Sequence, residues 1–164
     1  MIFSKEVLIG LLLTILPISE LRGGLPVIVK FVTENSLPLW PYFLLVVFLN
    51  SIVILFIFFF LDFFHHHFLK IKFYERMFGK FMERVDRKSK SIAEKTGIWT
   101  YVALGLFVGV PIPLTGAWTG TLIAWFLDLD RKKSIIAITL GVLMAGFIIL
   151  ALSLGFFKLL SVLC

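Results

Sequence analysis

The chain has 164 residues, of which 60% are hydrophobic and 19 are phenylalanine, with a mean hydropathy of +1.04. Only 16% are charged, against roughly 25% in a soluble globular domain, so a small soluble domain and a disordered chain are set aside and an integral membrane protein remains. The net charge of +6 is concentrated beside long apolar segments, which points to anionic lipid headgroups and the positive-inside rule and away from nucleic acid.

Lys5 and Glu6 lead into an apolar run that reaches Leu16. No small-residue cleavage site follows, so the run reads as a retained membrane segment and not a cleaved signal. The block 7–33 is interrupted by Pro17, Glu20, Arg22, Gly23, Gly24 and Pro26, of which Pro17, Gly23, Gly24 and Pro26 are read as its turn. Each apolar arm of roughly 10 to 13 residues reaches only about 15 to 20 Å as helix, too short for a bilayer core of about 30 Å. The pair is therefore one broken crossing helix or a re-entrant hairpin that enters and leaves on one side. Residues 40–61 are an almost unbroken apolar run, long enough to cross. Asn50 is its only strongly polar residue and a candidate interhelical contact, and Asp62 closes it at an expected interface.

The segment 65–95 is a charged linker. His65, His66 and His67 are consecutive and do not share a helical face, so no metal site is expected. From Lys70 to Lys95 the net charge is +5, and Tyr74, Met77, Phe78, Phe81, Met82 and Val85 recur at three- and four-residue spacing. That pattern predicts a basic amphipathic helix on the cytoplasmic membrane surface, or a plain solvated helix, ending near Gly97.

The block 98–127 is apolar but broken at Pro111, Pro113, Gly116 and Gly120. The prolines end a helix and the glycines allow close backbone approach. Thr115 and Thr119 offer hydroxyls, Thr115 as a candidate cap of the returning helix, and Trp118 either lines a substrate path or anchors at an interface. Trp99, Tyr101 and Trp125 read as interface anchors or packing residues. Arg131, Lys132 and Lys133 follow. A single crossing at 98–127 would put this basic loop and the basic linker in opposite compartments, whereas a re-entrant hairpin keeps both cytoplasmic. Residues 134–157 are apolar and free of charge, with Gly141, Ala145, Gly146 and Gly155 suited to close helix packing. The single cysteine, Cys164, rules out an intrachain disulfide.

The expected fold is an all-α integral membrane protein of two inverted repeats, 7–62 and 98–158. Each is a re-entrant helical hairpin followed by a transmembrane helix, with discontinuous helices meeting near the midplane. Tandem full crossings by four to six short helices are the competing arrangement. Charges at membrane depth face protein or a water-filled cavity. Glu20 is thus a candidate for taking and releasing a proton, and Arg22 with free backbone amides for holding an anion. The competing reading is that the two residues pair with each other or with helix ends, or are simply wet. No hydrolase, kinase, nucleotide-binding or zinc-protease motif is present, so neither an enzyme nor a cofactor is expected.

The stretch Glu20-Leu21-Arg22-Gly23-Gly24-Leu25-Pro26, followed at a distance by the run Pro111-Ile112-Pro113-Leu114-Thr115-Gly116-Ala117-Trp118-Thr119-Gly120, resembles the putative small multidrug export protein family. More remotely it is similar to the DedA/SNARE-associated (VTT) membrane proteins. The second resemblance implies paired re-entrant hairpins, movement of lipid or lipid carriers, and Glu20 and Arg22 as headgroup- or proton-handling residues. Three functions follow as expectations: secondary export of small molecules, flipping or scrambling of a lipid or phosphorylated lipid carrier, and a non-transporting structural role. The expected partners are membrane lipids, an unidentified small-molecule or lipid substrate, and a second copy in a homo-oligomer such as a dimer. The expected location is a prokaryotic cell membrane.

Overall fold

The computed structural model describes residues 4–68, 97–112 and 115–163; the linker from residue 69, with Pro113, Leu114 and Cys164, lies outside the described residues. The described residues form six helices: α1 (Lys5–Ile15), α2 (Glu20–Glu34), α3 (Leu39–Phe68), α4 (Ile98–Gly109), α5 (Ala117–Phe126) and α6 (Arg131–Leu163). Two stretches are long and apolar enough to cross a membrane, Leu39–Phe64 with 26 residues and Arg131–Leu159 with 29. At about 1.5 Å per residue each exceeds the hydrocarbon thickness of about 30 Å. Asp62 does not close α3, which runs on to Phe68. The other helices have 10 to 15 residues, about 15–23 Å of helix, so each alone falls short of that thickness.

Among apolar helices in lipid, close packing and small residues take over the role that water exclusion plays in a soluble core. A Cβ on Gly24 would lie 2.1 Å from Thr14 Oγ1 and 2.3 Å from the Gly10 carbonyl oxygen, and one on Gly10 would lie 2.5 Å from Ile28. These pairings make α1 and α2 antiparallel neighbours. Gly105 approaches Ala137, Gly141 approaches Gly105 and Val108, and Gly109 approaches Met144, so α4 runs parallel to α6. Gly120 meets Val108 and Ile138, bringing α5 back along both. Phe43 meets Gly146 and packs its ring at a tilt against Phe147, centroids 5.1 Å apart, while Arg131 pairs with Asp62 and lies over the Phe58 ring at 5.9 Å; α3 and α6 are therefore antiparallel.

The placement of the short helices follows. The α1–α2 pair lies toward the Leu39 end of α3, to which α2 connects through residues 35–38. The α4–α5 pair lies toward the other end, where Tyr101 Oη accepts the Asp130 N–H at 3.2 Å and Trp125 Nε1 donates to Asp62 at 3.1 Å. Leu25, Ile28, Val29, Val46, Ile54 and Ile138 are fully buried between the elements, and Leu44, Phe48, Leu55, Phe59, Leu140 and Leu152 are exposed on the outside of the two long helices.

Four residues read as turn formers are not in turns. Gly23, Gly24 and Pro26 lie inside α2, and Gly120 lies inside α5. Gly24 and Gly120 are contact points where a neighbouring helix leaves no room for a Cβ, and a Cβ on Gly23 would come within 2.7 Å of the Ser19 Cβ. Pro26, inside α2, removes the N–H that would otherwise bond the Arg22 carbonyl. The first break is residues 16–19, with Pro17, and the second runs from Val110 through Pro111 to Gly116.

Candidate functional site

The two breaks meet through Glu20 and Arg22. Glu20 opens α2 in the left-handed region, at φ +46°, a conformation that costs a non-glycine residue on the order of 1 kcal/mol. Its buried carboxylate accepts the N–H groups of Ala117 at 3.1 Å and Trp118 at 3.0 Å. These are the first two amides of α5 and have no partner within that helix. The N-cap of α5 is Gly116, which has no side chain to cap them. A Cβ there would lie 1.5 Å from Glu20 Oε2, so glycine is what lets the carboxylate in. The contact also sets a negative charge against the positive end of the helix dipole.

Arg22, two residues further along α2, serves the other side of the same break. Its guanidinium donates to the carbonyls of Val110 at 3.1 Å and Thr115 at 2.8 Å, to Thr115 Oγ1 at 2.9 Å, and to the Ile112 carbonyl. These acceptors follow the end of α4, where backbone carbonyls lack helical partners. A cation thus faces the carbonyl side of the break and an anion the amide side. Backbone polar groups deprived of helix inside a bilayer must find protein partners, and here two charges from the other helical pair supply them. An external anion on the α5 amides would have to displace Glu20.

The remaining candidates divide around this cluster. Thr115 does not cap α5; its hydroxyl accepts from Arg22 and lies 2.9 and 2.8 Å from the Val110 and Ile112 carbonyls, to either of which it donates. Trp118 joins twice, by its backbone N–H to Glu20 and by Nε1 to the Ile15 carbonyl at 3.2 Å. Thr119 is half-buried on α5 and has no bond to Glu20 or Arg22. Pro17 and Pro111 are in the breaks, and Pro113 lies outside the described residues. Asn50 is buried near the middle of the α3 span, where Nδ2 donates to the Thr14 carbonyl at 3.2 Å and Oδ1 has no partner. Glu20, Arg22, Asn50 and Gly116 line a chamber of about 10 Å³ together with Val142 and Ala145 from the middle of α6.

Three features went unread in the sequence. Thr14, fully buried, donates to Gly10 and seats Gly24. The Asp62, Trp125 and Arg131 cluster ties α3, α5 and α6 together at one end. A groove of about 740 Å³ runs between α4 and α6, lined by Val102, Leu106, Ile136, Leu140 and Met144, with Tyr101 and Lys133 at one end. Among the described residues no three His, Cys, Asp or Glu side chains gather as a metal site.

No curated protein and no solved structure matches the chain. A family model described as "Putative small multi-drug export protein" matches residues 20–148, beginning at Glu20 just after the first break and taking in α2, the whole of α3, the second break and about the first half of α6. With two membrane-length helices and a match over most of its length, this is a membrane protein, and the chain belongs to the Putative small multi-drug export protein family.

Proposed function

We propose that this protein is a secondary transporter that exports small amphiphilic molecules and couples their movement to protons at Glu20. The observation that carries the reading is the Glu20–Arg22 clamp, in which two opposite charges hold the two sides of one helix break. In this reading both helical pairs are re-entrant hairpins. The α1–α2 pair enters from one face and the α4–α5 pair from the other, an inverted repeat whose broken tips touch at mid-depth. The packing of each pair against opposite halves of α3 and α6 supports it. The basic linker and the α6 start then share the cytoplasmic face.

Protonation of Glu20 would remove the charge that holds the Ala117 and Trp118 amides. Charge-assisted hydrogen bonds are roughly twice as strong as neutral ones, so the proton loosens the amide side of the break while Arg22 keeps the carbonyl side. One broken helix then has two arrangements, clamped and released, which is what alternating access requires. Arg22 is only half-buried, and a second copy covering its exposed flank would shield the break from lipid, which favours a homo-oligomer such as a dimer.

Movement of a lipid or phosphorylated lipid carrier is the second reading. The α4–α6 groove favours it, because an apolar trough with Lys133 at one end suits a ligand with an anionic head and a tail left in the bilayer. The test is translocation by purified protein in liposomes under an imposed pH gradient, offering a fluorescent cationic amphiphile and a phosphorylated lipid in parallel. Export predicts movement of the first, reduced in Glu20→Gln and Arg22→Ala. Movement of the lipid alone selects the second reading. No movement of either by folded protein leaves the chain a structural membrane protein.

A further inference from the structure

We infer that Asn50 is the acceptor for a proton carried by Glu20, so that the small chamber between α2, α3 and α5 is a proton-binding site with two members. The inference rests on the proposal that Glu20 exchanges protons, and it names the residue that receives the protonated form.

The orientation of the Asn50 amide is settled by chemistry. The Thr14 carbonyl can only accept, so the nitrogen of Asn50 must face it, at 3.2 Å. The oxygen is then turned the other way. Asn50 is 1% exposed and its Oδ1 has no hydrogen-bond partner. A buried carbonyl oxygen left alone is costly and calls for a donor. The chamber it lines is shared with Glu20, whose carboxylate, when ionised, is also acceptor-only. Two acceptors therefore face one space, and a single proton on Glu20 turns one of them into the missing donor.

The size of the chamber narrows the possibilities. At about 10 Å³ it is at the lower limit for one water molecule, so the proton reaches Asn50 directly or across one water. The donors on its other walls are Arg22, whose Nη1 and Nη2 groups donate to the Val110, Ile112 and Thr115 oxygens, and the Ala117 N–H, which donates to Glu20. Val108, Val142 and Ala145, from α4 and α6, are apolar, and Arg22 is the charged group acting on Glu20 among the described residues. Loading is a simple protonation: the Glu20 carboxylate takes a proton, gives up charge-assisted bonds from Ala117 and Trp118, and gains a bond to the Asn50 oxygen. Unloading reverses it. Asn50 would thus hold the state in which the second break is released.

The test is infrared titration of the full-length protein in liposomes. The chain has two asparagines, Asn35 and Asn50, so carbonyl-labelled asparagine with an Asn35→Gln background reports Asn50 alone. On acidification the carboxylic C=O band of Glu20, identified by its loss in Glu20→Gln, is expected to rise together with a shift of the Asn50 amide band to lower wavenumber. In Asn50→Val the Glu20 band is expected to rise at a pH about one unit lower, the worth of one hydrogen bond to the neutral form. Should Asn50→Val not fold, the labelled protein with its native Asn50 still decides the matter. An amide band that stays still while Glu20 titrates overturns the inference, as does a band that moves with sodium at constant pH, which would make the chamber a cation site. Coupled bands in a protein that moves no substrate would refute the transport proposal and leave the proton site standing.

Discussion

Gly116→Ala isolates the amide side of the clamp. The backbone at Gly116 has φ −99° and ψ −165°, extended values open to any residue, so alanine brings no conformational strain. Its Cβ, however, would lie 1.5 Å from Glu20 Oε2, 2.2 Å from Cδ and 2.4 Å from Oε1. All three belong to one carboxylate, which must withdraw. Two hydrogen bonds to a charged group are then lost, each contributing about 1.5–3 kcal/mol, offset by about 0.4–1 kcal/mol from the stiffer unfolded chain. The expected destabilisation is about 2–5 kcal/mol. Reversible unfolding in mixed detergent micelles measures it, and a double-mutant cycle with Glu20→Ala assigns it. Without the carboxylate the alanine has nothing to displace, so Gly116→Ala should cost less than about 0.5 kcal/mol in that background. An equal cost in both backgrounds would show that the glycine serves something other than Glu20, and the clamp would lose its steric basis.

Other consequences are open to measurement. Gly24→Ala should destabilise by about 1–3 kcal/mol, because its Cβ meets the Gly10 backbone as well as Thr14, and backbone cannot swing aside; thermal unfolding in detergent reads this, and an unchanged midpoint would contradict the close α1–α2 contact. Arg22→Lys keeps the charge but cannot reach the Val110, Ile112 and Thr115 oxygens together, so it should lose most of what Arg22→Ala loses in stability; full retention would mean that charge alone matters. In a Cys164→Ser background, single cysteines at Ile98 and Lys132 should label from one face of the membrane and one at Glu34 from the other. Opposite labelling of Ile98 and Lys132 would defeat re-entry of α4–α5. Asp62→Asn should leave Arg131 without its carboxylate while Trp125 keeps an acceptor, costing about 1 kcal/mol or less at this partly exposed pair, with little change in tryptophan emission.

The apolar runs made the two long helices legible, since a stretch such as 40–61 has no other stable placement. The breaks were legible too, because Pro17 and Pro111 interrupt runs that would otherwise continue. What glycine does was not. Gly24 and Gly116 look alike in a sequence, yet one seats a neighbouring helix and the other admits a carboxylate, and only the neighbour decides which. Glu20 and Arg22 stood out as charges at depth, but their partners are about a hundred residues away and are mostly backbone atoms, which leave no trace in side-chain chemistry. Asn50 read as a buried polar contact; that half of its amide is unmet depends on a chamber formed by five helices. The Asp62–Arg131 pair spans too wide a separation for any periodic signal.

The clamp also bears on how the chain enters the membrane. Arg22 bonds the Ile112 carbonyl across 90 residues, and the Trp118 amide bonds Glu20 across 98. At a synthesis rate of about 5–20 residues per second, the first charges wait roughly 5–20 seconds for the segment that will neutralise them. During that interval neither Glu20 nor Arg22 can rest in lipid without water or a chaperoning surface. The N-terminal helices should therefore stay at the insertion machinery until α5 has been made, and a nascent chain halted before Gly116 should remain crosslinkable to it through Arg22.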